Sequence, residues 1–77
     1  MNIDLADITL HIDEELSTAE KDQLEQAFRQ RDGIVSVHFN PNNFHLLILK
    51  YDPKRIHSRD IIDIPRYHGF HAELVGM

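Results

Sequence analysis

A 77-residue chain with a net charge of −5 and no cysteine has room for one domain and one modest core. That charge repels phosphate backbones, and the eight Lys and Arg form no basic stripe, so nucleic acid is an unsuitable partner. Disulfide and thiolate chemistry are excluded outright. No apolar run reaches membrane-span length and the N-terminus is acidic, so the expected location is the cytoplasm, away from any membrane.

In chain order, a lead-in over residues 1 to 6 precedes Ile8-Thr9-Leu10-His11-Ile12. Strict alternation puts Ile8, Leu10 and Ile12 on one face and Thr9 and His11 on the other, the pattern of a half-buried strand. The carboxylate run Asp13-Glu14-Glu15 follows, read as a solvated loop whose charge suits the helix start behind it. Ser17-Thr18-Ala19-Glu20 is a capping box, in which the serine hydroxyl and the glutamate carboxylate each accept from the other's backbone N–H. Leu24, Ala27, Phe28 and Arg31 then recur at helical spacing up to the stop at Asp32-Gly33.

Val35 to Phe39 alternates again, with Val35, Val37 and Phe39 expected inward and Ser36 and His38 outward. Asn40-Pro41-Asn42-Asn43 is turn chemistry, an asparagine tolerating the left-handed conformation that closes a short hairpin. The partner strand, His45 to Tyr51, is apolar at Leu46, Leu47, Ile48 and Leu49, more than one buried face requires. With Leu47, Leu49 and Tyr51 facing the core, Leu46 and Ile48 point to the face that carries Thr9, His11, Ser36 and His38. Ser58 is placed as cap of a second helix that buries Ile61 and Ile64 and that Pro65 should keep short or kinked. Gly69 ends it, and Phe70 to Leu74 reads as a fourth strand.

The order β-α-β-β-α-β predicts an α+β, ferredoxin-like sandwich: an antiparallel sheet ordered 4-1-3-2 with both helices on one face and the other face open. Residues 1–77 are expected to form one domain, with a core over about 8 to 74.

The chain resembles the heavy-metal-associated (HMA) domains of copper chaperones and metal-transporting ATPases. The resemblance rests on Asp32-Gly33-Ile34-Val35-Ser36-Val37, Tyr51-Asp52-Pro53 and Gly69-Phe70-His71-Ala72, in that order and spacing. It implies a small binding module in metal handling. Where those domains carry two cysteines in the first loop, this sequence has Ser17 and Glu20, which offer no thiolate for a soft ion. Any metal must therefore be held by histidine.

Six histidines are present, at 11, 38, 45, 57, 68 and 71. On the open face of the expected sheet His11 and His71 should lie opposite one another with Glu73 beside them, a donor set for a divalent ion such as Zn²⁺, Ni²⁺ or Cu²⁺. His38 and His45 flank the hairpin and His57 and His68 flank the second helix, in surface or capping roles. A nucleophile, an oxyanion hole and a phosphate loop are all lacking, so no enzyme is expected. The alternative reading is a non-metal interaction or homodimerisation module using the open face, centred on Leu46, Ile48 and His38. A small-molecule sensor has no residue to recommend it.

Overall fold

The computed structural model describes residues 4–75; the start of the expected lead-in, residues 1 to 3, lies outside them. Its elements are β1 (Ala6–Ile12), α1 (Thr18–Arg29), β2 (Ile34–Asn40), β3 (Asn43–Tyr51), α2 (Ser58–Tyr67) and β4 (Ala72–Leu74). The strands form one antiparallel sheet in the order β2-β3-β1-β4, the ferredoxin-like topology expected.

One face of that sheet is dry. Ile8, Leu10 and Ile12 of β1, Val37 of β2, Leu47 and Leu49 of β3 and Ala72 of β4 pack with Leu24 and Phe28 of α1 and Ile61 and Ile64 of α2. Each fully buried large aliphatic or Phe side chain here contributes about 1.5–3 kcal/mol relative to exposure. Both helices thus lie against a single sheet face. Ile56, in the loop after β3, joins the same cluster.

Two glycines set the helix exits. Gly33 has φ +100, and a Cβ built there would meet Arg55 Cβ and Ile56 Cγ2 at 2.9 Å. The α1-to-β2 turn therefore needs a residue with no side chain. Gly69, at φ +85, closes α2: its N–H donates to the Arg66 carbonyl, and the Phe70 N–H reaches back to the Pro65 carbonyl at 3.1 Å. That is a Schellman motif.

Five expectations change. Val35 faces solvent, 56% exposed, because it is the extra residue of a β-bulge: Ile34 pairs with Tyr51 and Ser36 with Lys50, and Ile34 packs inward in its place. The hairpin closes without a left-handed asparagine, since Gly33 and Gly69 are the only positive-φ residues among those described; the Asn40 side chain instead accepts from the Asn42 N–H at 2.8 Å. His57, not Ser58, is the N-cap of α2, with the Asp60 carboxylate accepting from its N–H at 3.4 Å. Pro65 is fully buried in the last turn of α2, where the missing N–H removes a single bond, and the helix runs on to Tyr67. Finally, β4 begins at Ala72 rather than Phe70, because the Schellman motif and Glu14 occupy the N–H groups of Phe70 and His71.

Candidate metal centre

At the end of the sheet where β1 finishes and β3 and β4 begin, histidines and carboxylates collect. His11, on the open face of β1, pairs across the sheet with Leu46 on one side and Glu73 on the other. Two residues on, Asp13 leaves the strand and its carboxylate accepts from His11 Nδ1 at 3.1 Å. Donor atoms of His11, Asp13 and Glu73 lie within 4.8 Å of one another. Donors sharing one Zn²⁺-like ion at about 2.0–2.2 Å sit about 3.3 Å apart, somewhat closer than the 4.8 Å within which these atoms stand.

His45 backs this cluster from β3. Its ring stacks on that of His11, centroids 5.6 Å apart and planes inclined by 17°. Its Nδ1–H donates to the Ile12 carbonyl at 2.8 Å, which leaves the lone pair on Nε2. Sequence reading gave His45 only a hairpin role. Strand parity assigns it to the face opposite His11, and its position beyond the last residues of β3 that pair with β1 is what lets the ring turn toward the end of β1, so alternation gives no sign of the stack.

The expected facing pair of His11 and His71 is not formed. The β1–β4 register sets Glu73 opposite His11 and carries His71 past the strand to Asp13, whose N–H donates to the His71 carbonyl at 2.9 Å. Glu14 then takes His71: its Oε1 accepts the backbone N–H at 2.8 Å and its Oε2 accepts from Nδ1 at 2.5 Å. These bonds hold the Glu14 carboxyl below the usual carboxylate range and raise His71 above the usual imidazole range. The run Asp13-Glu14-Glu15 is thus not uniformly solvated, since two of its three carboxylates are engaged by histidines.

Ser17 and Glu20 do what their pattern predicts. Ser17 Oγ accepts from the Glu20 N–H at 3.2 Å and Glu20 Oε1 from the Ser17 N–H at 2.9 Å. A thiolate-type Cu(I) site does not fit these residues. His38 is exposed on β2 opposite Ile48; His57 and His68 cap the two ends of α2.

No family model matches the chain, and no curated protein matches it. Solved structures do. A copper-binding domain from HMA7, a P-type ATPase, superposes with a TM-score of 0.81 at 18% identity, over 91% of this chain and 93% of that one. Oxidized MerP from Ralstonia metallidurans gives 0.83 at 11% identity, over 95% and 100%. The CopZ metallochaperone gives 0.78 at 20% identity, over 91% and 100%. The chain therefore has the ferredoxin-like fold of HMA domains, without their cysteines. Among the described residues no helix is long and apolar enough to cross a membrane.

Proposed function

We propose that this chain is a cysteine-free metal-handling module of the HMA fold, working in the cytoplasm as a binding protein and not an enzyme, which takes a divalent ion through histidine and carboxylate. The convergence of His11, Asp13 and Glu73 is the observation that carries this reading. With His11 and Glu73 as ligands and Asp13 holding the His11 ring, the donors are nitrogen and oxygen, which suits Zn²⁺, Ni²⁺ or Cu²⁺ and lacks the soft ligands that Cu(I) selects. The cluster is also exposed enough to load, His11 being 38% and Asp13 56% exposed. His71 is not among these converging donors, since Glu14 holds both its backbone N–H and its Nδ1.

Isothermal titration of the purified chain with Zn²⁺, Ni²⁺ and Cu²⁺ tests this. Saturable binding that disappears in both His11→Ala and Glu73→Ala is expected. Absence of uptake by the parent chain, for all three ions, overturns the reading.

A second reading, a protein-interaction module without metal, is favoured by Leu46 and Ile48, which stand half-buried on the sheet face that no helix covers.

A further inference from the structure

The open face of the sheet has an order that the donor cluster alone does not reveal. Cross-strand neighbours on it form two adjacent rows, His38–Ile48–Thr9 and Leu46–His11–Glu73. The ligand cluster is therefore the end of a row whose other end is aliphatic. The same strand positions supply both.

Chemistry within one chain leaves that cluster unfinished. If Asp13 holds the His11 Nδ1–H, it orients the ring as a carboxylate does in many metal sites, and His11 then offers Nε2. The inner donors of one copy are then one nitrogen of His11 and one oxygen of Glu73. A four-coordinate ion needs two more.

We propose that a second copy of this chain supplies them: two chains meet open face to open face about a two-fold axis, and one divalent ion on that axis is bound by His11 and Glu73 of each. A two-fold interface uses the same patch twice, so the ion sees two nitrogens and two oxygens, and Leu46 and Ile48 of the two copies are buried beside it. Charge makes the assembly depend on the ion. Each chain carries −5, and pairing these faces brings Asp13 and Glu73 of both copies together, four carboxylates that repel one another until a cation sits among them. The apo chain is a monomer, and the ion is the switch.

This rests on the metal-binding reading above, and one experiment separates the two. Sedimentation velocity is run at a fixed concentration of the full chain with increasing Zn²⁺, alongside isothermal titration. The expected result is a monomer in EDTA, a doubling of mass on adding Zn²⁺, and saturation at one ion per two chains. Thr9→Glu and Leu46→Glu, checked for native circular dichroism, should abolish the doubling and weaken Zn²⁺ binding at least tenfold. Thr9→Glu covers the case in which Leu46→Glu does not fold. A monomer saturating at one ion per chain, or a dimer that persists in EDTA, overturns the shared site and leaves the metal-binding reading standing. A chain that takes no Zn²⁺ overturns both.

Discussion

Glu14 grips His71 with both carboxylate oxygens, tying the loop after β1 to the residue that leads into β4. Because the pair lies at the surface, its strength follows pH and salt. Glu14 is lowered from 4.5, so its contribution is present above about 4.5 and is lost as pH falls through its lowered value. His71 is raised from 6.5, so its contribution is full below about 6.5 and is lost as pH rises through its raised value. The difference in Tm between the parent and Glu14→Gln should be largest between these two pH values and narrow on either side. A difference that stays flat from pH 4 to 9 contradicts the ionic pairing.

Ser17, the residue that the resemblance to HMA domains sets at a cysteine position, acts as a helix cap. Ser17→Ala should cost about 1 kcal/mol in urea unfolding. That loss should be the same with and without Zn²⁺, since the hydroxyl belongs to the helix and not to the ion.

The two positive-φ glycines should respond differently to alanine. At Gly69 nothing lies within 4 Å of the new Cβ, so only the backbone conformation resists, at about 1 kcal/mol. At Gly33 the same backbone cost is joined by contacts at 2.9 Å to Arg55 and to Ile56, a core residue. Gly33→Ala should destabilise by about 2 kcal/mol or more. Equal denaturation midpoints for the two variants would show that the α1-to-β2 turn moves aside freely.

Asp13 separates orientation from ligation. Asp13→Asn keeps the shape of the side chain but weakens its hold on the His11 ring, and should reduce Zn²⁺ affinity about 10–100-fold. His68→Ala, at the far cap of α2, should leave that affinity unchanged. Equal losses in the two variants would point to diffuse electrostatic attraction in place of a site.

Periodicity located the sheet and its faces, because one dry face imposes a two-residue alternation wherever a strand runs true. It failed where the backbone departs from regular pairing. Val35 looks inward by parity, and only the bulge beside it turns Ile34 in instead. The same limit governs the site. His11 and Glu73 could be assigned to one face from the sequence, but which residue of β4 lies opposite His11 depends on where β4 starts. That start is set by the hydrogen bonds of the Phe70 and His71 N–H groups, made to a helix end and a distant carboxylate. Asp13 and His45 were hidden for the same reason: each reaches the cluster from beyond a regular strand pairing.

β1 is an inner strand flanked by β3 and β4, and among the described residues β4 follows every other element in the chain. On the ribosome, β1, α1 and the hairpin emerge first, yet one edge of β1 stays bare until Ala72–Leu74 arrives. Such a long-range closure is slow compared with the hairpin that precedes it. Since Glu73 comes with that strand, the ion-binding cluster forms at the moment the sheet is completed, and a nascent or truncated chain would carry His11 with no carboxylate across from it.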